Sequence, residues 1–425
     1  MSAYPDPALI TQVYQQFPST RRVHVAFSGG LDSRVLLHLC ALARTSDGPS
    51  VSALHIDHGL HVDSAAWSTD CRAVCAGYDI PITVHRTPVV RAKGESLEAV
   101  AREHRYRAFA SHVGADELLL VAQHADDQLE TVLLQLLRGA GPAGLAAMPR
   151  ARAIGQGHLV RPLLAMHRQC LEDYAKQHTL HWLDDPSNAD QTFARNFLRH
   201  AIVPQLAERY PALRETVARS ARHCREASQA LAALAATDLA AAVSPHGTLR
   251  LDLVRALAPV RQKHLIRAWI EQSGWRAPRE RQLTALLDAI ARDDGQPGLE
   301  TRTYRIASYR NELHVLEKSH QIPAYHYPWK DITQPLSIPE PRLQLSQDTL
   351  LAEGVQLDTG GTWSVRRRVG GEMIRQGQPA RRRALKKLFQ EQAVPVWRRD
   401  RYPLVFRDDI LVAVPGLAID PDYTL

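Results

Sequence analysis

The segment from Ser28 to Ser33, which reads Ser-Gly-Gly-Leu-Asp-Ser, carries residue types that bind phosphate. Its two glycines let the backbone approach an anion closely, and its serine hydroxyls can donate hydrogen bonds. The helical pattern that follows offers free N–H groups and the positive end of a helix dipole. Asp32 is suited to hold Mg²⁺ against phosphate oxygens. The segment predicts a phosphate-binding loop, although it matches neither a Walker A loop nor a G-x-G-x-x-G dinucleotide fingerprint.

A second set of chemistry-bearing residues lies in Gln123–Thr131, where His124 precedes the adjacent carboxylates Asp126 and Asp127. Aspartate is a common N-cap residue, so one of the pair is explained by a helix start. Capping does not need two carboxylates and a histidine. The group therefore indicates a site in which a carboxylate binds Mg²⁺ or takes a proton from an attacking amine. The residues leave open which carboxylate has which role.

Three basic residues are further candidates for ligand contacts. His58 follows the second predicted strand, at a sheet edge where adenine or ribose could rest, but a structural histidine explains it as well. Arg105 lies three residues after Arg102 on one predicted helix face and is suited to phosphate. Arg138 stands beside three glycines, which suits an anionic ligand and equally suits the end of a helix.

The elements that must position these residues alternate between strand and helix through the first part of the chain. Strands separated by helices of roughly 10 to 15 residues predict βαβ units and a parallel sheet covered on both faces. The predicted fold class is α/β: an N-terminal doubly wound parallel sheet, a helical middle domain and a small α+β C-terminal domain. The predicted boundaries are 1–217, 218–325 and 340–425. Ligands of such sheets bind beyond the carboxyl ends of the strands, here after Phe27, Ile56 and Ala122.

Composition limits the class of protein. The 425 residues contain no apolar run long enough to span a bilayer, which predicts no membrane segment. The five cysteines form no disulfide framework and indicate reduced thiols, as in a cytoplasmic protein. The net charge of +7 is concentrated between Arg366 and Arg407, where 13 Lys and Arg face only three acids. This placement favours a polyanionic partner at the C-terminal end, although a solvated basic face is the common alternative.

The glycine loop resembles the S-G-G-x-D-S signature of the PP-loop ATP pyrophosphatases. The motifs HIDHGL, EAVAREHRYRAF, QHADDQLET, RGAGPAGL, VRPLL, DDPSN and RNFLR then resemble, in order, those of the tRNA(Ile)-lysidine synthases. The later stretches GTLRLDLVRALAPVRQKHLIRAWI and ARRRALKKLFQEQAVPVWRRDRYPLVF resemble the middle and C-terminal domains of that family. The resemblance covers nearly the whole chain.

The resemblance implies ligation of free L-lysine to C2 of the wobble cytidine of a tRNA(Ile) with a CAU anticodon. ATP would adenylate the cytidine O2 with loss of diphosphate, and the lysine ε-amine would then expel AMP. It implies ATP and Mg²⁺ as cofactors, tRNA(Ile) and lysine as partners, and is compatible with a homodimer.

The implied site residues fall into four groups. The expected ATP-binding residues are Ser28, Gly29, Gly30, Leu31, Asp32, Ser33, His58 and Arg105. Asp32, Asp126 and Asp127 are expected to be catalytic, with Asp32 and Asp126 as Mg²⁺ ligands. His124, Arg138, Arg195 and Arg199 are expected near the lysine or the cytidine. The expected tRNA-binding residues are Arg381, Arg382, Arg383, Lys386, Lys387, Arg398 and Arg399.

Three other functions compete with this interpretation. A PP-loop tRNA thiolase would use cysteine pairs, but Cys71 and Cys75 lie four apart inside a predicted helix. A glutamine-dependent amidotransferase would place a glutaminase domain or a nucleophilic cysteine before the loop, and the residues before Ser28 contain neither. A non-catalytic RNA-binding protein would not need Asp32, Ser33 and the acidic pair.

Overall fold

The computed structural model describes residues 4–59, 63–87, 97–292, 296–318, 325–338, 343–357, 360–377 and 380–425. The chain divides into two compact units, Met1–Ala233 and Leu234–Leu425. The division into three domains stays a prediction. None of the described helices has the length and apolar character needed to cross a membrane.

A six-stranded sheet forms the centre of the first unit. Its strands are β1 (Arg22–Ala26), β2 (Ser50–Asp57), β3 (Ile82–Arg86), β4 (Glu117–Leu120), β5 (Ala151–Ile154) and β6 (Gly157–Val160). Their order is β3-β2-β1-β4-β6-β5, and all neighbours are parallel except β5 and β6. The parallel strands confirm the predicted fold class, whereas the β5–β6 hairpin was not predicted from the sequence.

Helices cover both faces of this sheet. They are α1 (Ala8–Gln16), α2 (Leu31–Leu42), α3 (Ser64–Ala76), α4 (Leu97–His112), α5 (Ala125–Leu137), α6 (Pro142–Leu145) and α7 (Arg168–Gln177). The apolar run of β4 shows the two-sided burial, because Leu118 and Leu120 join one core cluster while Leu119 joins another. A strand buried on both faces needs such a continuous apolar run. The sequence pattern predicts the fourth of these helices over Ser96–Val113, and its predicted start at Ser96 lies outside the described residues.

The sheet order reverses at β1, which lies between β2 and β4. Chain connections leave this point toward opposite sides, so a crevice opens beyond the carboxyl ends of β1 and β4. The loops that follow these two strands carry the glycine loop and the segment with His124. The topology therefore brings the two predicted groups of chemistry-bearing residues to one edge of the sheet.

The segment after this sheet is less regular than the sequence pattern predicts. The sequence pattern predicts one helical stretch from about Thr192 to Ala236. The structure instead has α8 (Ala194–Phe197), a π-helical turn (Leu198–Ile202), α9 (Val203–Arg209) and α10 (Leu213–Ala242). Pro204 and Pro211 explain the interruptions, because proline lacks the N–H that an uninterrupted helix requires.

The second unit combines a helical part with β-rich parts. Its first elements are β7 (Leu249–Arg250), α11 (Leu251–Arg255), α12 (Pro259–Gln272), α13 (Glu280–Arg292), β8 (Leu299–Glu300), β9 (Tyr304–Tyr309) and β10 (Glu312–Glu317). They enclose a core that includes the fully buried Trp269.

The remaining elements of the second unit are mostly short strands. They are β11 (His326–Pro328), β12 (Leu336–Ile338), β13 (Leu343–Leu345), α14 (Gln347–Ala352), β14 (Trp363–Arg367), β15 (Met373–Gln376), β16 (Arg381–Ala384), α15 (Leu385–Glu391), α16 (Val396–Arg399), β17 (Pro403–Arg407), β18 (Ile410–Val414) and β19 (Ala418–Ile419). Five of these strands form one sheet, in the order β11-β14-β17-β18-β19.

Candidate active site

The glycine loop is a closed turn between β1 and α2. Gly29 has a φ of +86°, and a Cβ at this position would lie 2.7 Å from Leu183 Cδ1, so both the turn and the packing require glycine. The Ser33 hydroxyl lies 3.0 Å from the Ser28 hydroxyl and donates a 3.0 Å hydrogen bond to the Gly30 carbonyl oxygen. No side chain caps the start of α2. The first N–H groups of this helix are therefore available to an anion.

A cavity of about 370 Å³ opens beside this loop, at the carboxyl ends of β1, β2 and β4. It is referred to below as the loop cavity. The predicted site residues that line it are Ser28, Gly30, Leu31, Asp32, Ser33, Arg105, Asp127, Arg195 and Arg199. Arg102, which shares the predicted phosphate-facing side of α4 with Arg105, also lines the cavity. The wall further contains residues to which the sequence analysis gave no individual role: Gln123, Arg168, Asp184 and Asn188. Among the described residues, Gly29, His58, His124, Asp126 and Arg138 do not line this cavity.

His124 lies beneath the cavity, at the centre of a carboxylate cluster. Its ring is fully buried, and its nitrogens lie 3.6 Å from Asp32, 3.7 Å from Asp126 and 3.5 Å from Asp127. Burial opposes a charged ring, but the carboxylates outweigh it and raise the pKa of His124 to about 10. His124 is therefore an imidazolium that holds three carboxylates together. Its enclosed side chain gives no support to the prediction that it contacts lysine or cytidine, which stays a prediction.

Asp126 and Asp127 differ in their surroundings. Both oxygens of Asp126 accept hydrogen bonds, one from the backbone N–H of Arg168 at 2.9 Å and one from Arg214. Burial opposes ionisation of Asp126, but His124, Arg168 and Arg214 outweigh it and lower its pKa. Asp127 accepts bonds from the backbone N–H of His124 at 3.1 Å and from the Arg199 side chain at 3.2 Å, and it lines the loop cavity. Of the adjacent pair, Asp127 is thus the carboxylate that lines the loop cavity.

One carboxylate oxygen of Asp32 is vacant, in the sense that it has no hydrogen-bond partner among the described residues. Burial opposes its ionisation, but His124, Arg168 and Arg199 outweigh it and lower its pKa. Its Oδ1 is buried and accepts no hydrogen bond from the described residues. An ionised, unpaired and buried oxygen is costly unless a cation or donor satisfies it. Asp32 therefore stands ready to accept a cation at the edge of the loop cavity.

Arg195 and Arg199 share one buried partner, Glu130. The Glu130 side chain is 2% exposed, and its oxygens accept bonds from Arg195 Nε at 2.8 Å and from Arg199 Nε at 2.6 Å. Arg195 also bonds to the Thr131 hydroxyl at 2.9 Å. The π-helical turn and α8 place the two arginines four residues apart on one side. Sequence reasoning missed Glu130, although its spacing from Asp127, one helical turn along α5, was a usable signal.

His58 acts on the loop cavity through Arg105. Arg105 Nε donates to His58 Nε2 at 3.3 Å, and Arg105 lines the cavity. Burial and the neighbouring Arg105 charge lower the pKa of His58 to about 4, so its ring is neutral at pH 7 and able to accept this bond. His58 is thus placed to orient Arg105.

Arg138 occupies the C-terminal end of α5. Its side chain is exposed, its backbone N–H bonds to the Leu134 and Gln135 carbonyl oxygens, and Gly139 follows with a φ of +70°. This is the geometry of a helix end. The prediction of an anion contact at Arg138 gains no support from its position.

The basic residues near the C-terminus separate into two groups. Arg381, Arg382, Lys386, Lys387 and Arg398 are exposed. Arg383 pairs with Glu391 at 2.6 Å, and the buried Arg399 donates to the Val394 carbonyl oxygen at 2.8 Å. Arg399 therefore holds a turn of this region together, and its burial gives no support to the prediction that it binds RNA.

Trp397 is half-buried within the second unit. It makes edge contacts with Tyr309 of β9 and His314 of β10, at ring-centroid distances of 6.1 and 5.0 Å. The sequence leaves open whether Trp397 stacks on RNA or packs in the core, and these contacts support packing.

Comparisons with known proteins agree with this geometry. The PP-loop domain family matches residues 6–206, the TilS substrate binding domain matches 249–314, and the TilS substrate C-terminal domain matches 363–424. The tRNA(Ile)-lysidine synthase of Pectobacterium atrosepticum is 39% identical over 97% of this chain and 94% of its own length. The chain belongs to the tRNA(Ile)-lysidine synthase family.

Two further members of the family show the same extent of similarity. The tRNA(Ile)-lysidine synthase of Pseudomonas aeruginosa is 41% identical over 92% of this chain and 90% of its own length. That of Methylococcus capsulatus is 40% identical over 92% and 90%. The similarity extends across both compact units, so the glycine loop and the basic C-terminal region belong to one conserved arrangement of domains.

Proposed function

We propose that this protein joins free L-lysine to C2 of the wobble cytidine of a tRNA(Ile) with a CAU anticodon, while ATP is split into AMP and diphosphate. Membership of the lysidine synthase family supports the overall reaction. The observation that carries the proposal for this site is the uncapped start of α2 beside the vacant Asp32 oxygen. The reaction needs a triphosphate held with its α-phosphorus exposed to an acceptor oxygen, and this corner can hold it.

The side chains of the loop cavity suit ATP together with Mg²⁺. The Ser28–Ser33 loop and the α2 N–H groups would bind the phosphates, and Arg105 would balance their charge. The vacant Asp32 oxygen fits Mg²⁺, which binds one or two carboxylates and otherwise takes phosphate and water oxygens. The described residues contain no group of three or more His, Cys, Asp or Glu that could hold a metal alone. Bound at Asp32, Mg²⁺ would neutralise charge on the triphosphate and the leaving diphosphate.

The adenylation step would follow from this binding. The cytidine O2 attacks the α-phosphorus, a new P–O bond forms, and the bond to the diphosphate breaks. Arg195 and Arg199, fixed by Glu130, present cationic edges to the loop cavity. Their fixed positions stabilise developing negative charge without reorganisation.

The second step needs a neutral amine. The lysine ε-amine has an ordinary pKa of about 10.4, so at neutral pH it must lose a proton before it attacks C2 and AMP leaves. Asp127 faces the loop cavity, attracts the ammonium group and takes this proton. Both oxygens of Asp126 already accept hydrogen bonds from Arg168 and Arg214. In this scheme Asp126 therefore holds the cluster in place, while Asp32 binds Mg²⁺ and Asp127 accepts the proton.

The test is a direct assay of ligation. The full-length protein is incubated with ATP, radiolabelled lysine and a tRNA(Ile) transcript with a CAU anticodon, and label in the RNA is measured beside AMP. We expect one lysine per tRNA and one AMP per lysine, and no labelling of a methionine tRNA with the same anticodon. AMP formation without label in the RNA, or label that does not require ATP, would overturn the proposal.

The same assay separates the competing functions. A thiolase would transfer sulfur and leave lysine free, and a non-catalytic RNA-binding protein would form no AMP. All five cysteines are free in the structure, and Cys71 and Cys75 are buried. A cytoplasmic location, where tRNA and free lysine occur together, belongs to the proposal. The homodimer stays a prediction.

A further inference from the structure

A second cavity of about 330 Å³ adjoins the loop cavity. It is referred to below as the arginine cavity. Arg102 and Tyr106 of α4 line both cavities, so the two meet at these side chains. The rest of the arginine cavity is formed by α5, by the chain before β5 and by Arg152 and Arg161 of the β5–β6 region. None of the glycine-loop residues, all of which are described, lines it.

Two guanidinium groups, those of Arg102 and Arg152, lie over the Tyr106 ring, and Arg161 lines the same cavity. The Cζ atoms of Arg102 and Arg152 lie 4.9 and 4.8 Å from the ring centroid, and Arg102 also bonds to the Tyr106 hydroxyl at 3.4 Å. Arg161 is 2% exposed, and it donates to the Pro149 carbonyl oxygen at 2.8 Å and to Gln123. Stacking and hydrogen bonds therefore fix the positions of these cations before any ligand arrives.

These positive charges have no acidic partner. In the described part of the chain, Arg102, Arg152 and Arg161 form no ion pair with Asp or Glu, and no acid lines the arginine cavity. Burial lowers the pKa of Arg161, and the charges of Arg152 and Arg102 lower it further. A cluster of fixed cations that repel one another binds an anion favourably, and guanidinium groups match phosphate oxygens in shape and charge.

We propose that the arginine cavity binds a backbone phosphate of the substrate RNA, adjacent to the nucleotide that reacts in the loop cavity. This inference rests on the proposed function, because it needs a polynucleotide whose base enters the loop cavity. One nucleotide separates successive phosphates in RNA, so a phosphate beside the reacting base must lie next to that cavity. ATP and diphosphate are the other sources of phosphate, but their binding elements, the glycine loop and the start of α2, lie outside the arginine cavity.

The first test compares Arg152→Gln with Arg107→Gln in the full-length protein. Arg152 lines the arginine cavity and not the loop cavity, whereas Arg107 is an exposed α4 residue paired with Glu103. We expect Arg152→Gln to weaken binding of the tRNA(Ile) transcript by about tenfold, the size of a lost charged hydrogen bond. The slope of log affinity against log salt should fall by about one phosphate contact. Arg107→Gln should bind the transcript as tightly as the wild type does. Neither variant should change the KM for ATP.

The second test identifies the phosphate. Anticodon stem-loops in which single phosphates are replaced by neutral methylphosphonates are titrated against the wild type and Arg152→Gln, without ATP or lysine. We expect one position beside the target cytidine to weaken binding to the wild type and to have no further effect on the variant, since both changes remove the same contact. Arg152→Lys, which keeps the charge and loses the planar fork, should fall between the two. Thermal melts show whether the variants fold.

Two outcomes overturn the inference. Equal RNA affinity of wild type and Arg152→Gln at all salt concentrations would show that Arg152 contacts no RNA phosphate. A raised KM for ATP, or weakened inhibition by diphosphate, with unchanged RNA binding would assign the arginine cavity to nucleotide phosphates. RNA binding is measured without catalysis. A protein that binds this RNA but makes no lysidine would therefore refute the proposed function, and the effect of Arg152→Gln on RNA binding could still be interpreted.

Discussion

Two groups of basic residues, one in each compact unit, have opposite surroundings. In the first unit, Arg195 and Arg199 are mostly buried and share the enclosed carboxylate of Glu130. In the second unit, Arg381, Lys386 and Lys387 project into solvent. Fixed, partly desolvated charges act strongly over short distances, whereas exposed charges are screened by salt. The first arrangement suits stabilisation of reacting groups, and the second suits attraction of a long polyanion.

The largest expected effect is at Asp32. We expect Asp32→Asn to lower AMP formation with tRNA(Ile) by about a thousandfold, since it removes the charge of a buried oxygen that has no hydrogen-bond partner among the described residues. Folding should be retained, because that oxygen accepts no hydrogen bond from the described residues. Steady-state AMP release measures the effect, with the exposed Asp47→Asn as control. An Asp32→Asn enzyme with normal AMP release would contradict the assignment.

The next largest effect tests the buried side of the comparison. Glu130→Gln leaves Arg195 and Arg199 without their shared counter-charge, and we expect a loss of about 3 kcal/mol in the free energy of unfolding. Urea unfolding followed by circular dichroism measures it. Glu103→Gln, which breaks an exposed pair with Arg107, should cost less than about 1 kcal/mol. Equal losses in the two variants would show that burial of the Glu130 pairs has no energetic weight.

Gly29→Ala should have an intermediate effect. The new Cβ would clash with Leu183 Cδ1 in a left-handed backbone conformation, so we expect a loss of about 2 kcal/mol and a raised KM for ATP. Adding Leu183→Ala removes the clash and should recover part of the KM change, while the backbone strain remains. If the double variant had a higher KM for ATP than Gly29→Ala, the clash with Leu183 would not be the cause of the raised KM.

The smallest effect on stability is expected at the exposed lysines. Replacing Lys386 and Lys387 by alanine should change the free energy of unfolding by less than about 0.5 kcal/mol. It should also weaken tRNA binding and flatten its salt dependence, because each lysine that contacts a phosphate releases a counterion. Filter binding at several salt concentrations measures this. Affinity that stays at the wild-type value throughout would mean that this face does not meet RNA.

The sequence predicted the sheet of the first unit well because local pattern determines it. The apolar runs of β1, β2 and β4 and the glycine loop carry their own signals, and each appears within a residue or two of its predicted position. Contacts between side chains that are distant in sequence could not be predicted in this way. The roles of Glu130, Arg168 and Arg214 depend on which side chains the folded chain brings to the acidic pair, and spacing along the sequence does not reveal that.

Sequence reasoning also treated residues of one type as equivalent. His124 and Asp126 belong to the right motif, yet the fold places them beneath the loop cavity, where they hold the residues that face it. Arg399 belongs to the basic C-terminal run, yet its guanidinium is enclosed. Burial decides between these roles, and neighbours in sequence share charge without sharing exposure.

The contact between Gly29 and Leu183 joins two distant parts of the chain. Leu183 packs against the loop, and its backbone N–H donates a 3.0 Å bond to the Gly29 carbonyl oxygen. Asp184 and Asn188, a short distance further along the chain, line the loop cavity as well. One backbone hydrogen bond thus ties the glycine loop to the segment that supplies another part of the cavity wall, so the conformation of either segment constrains the other.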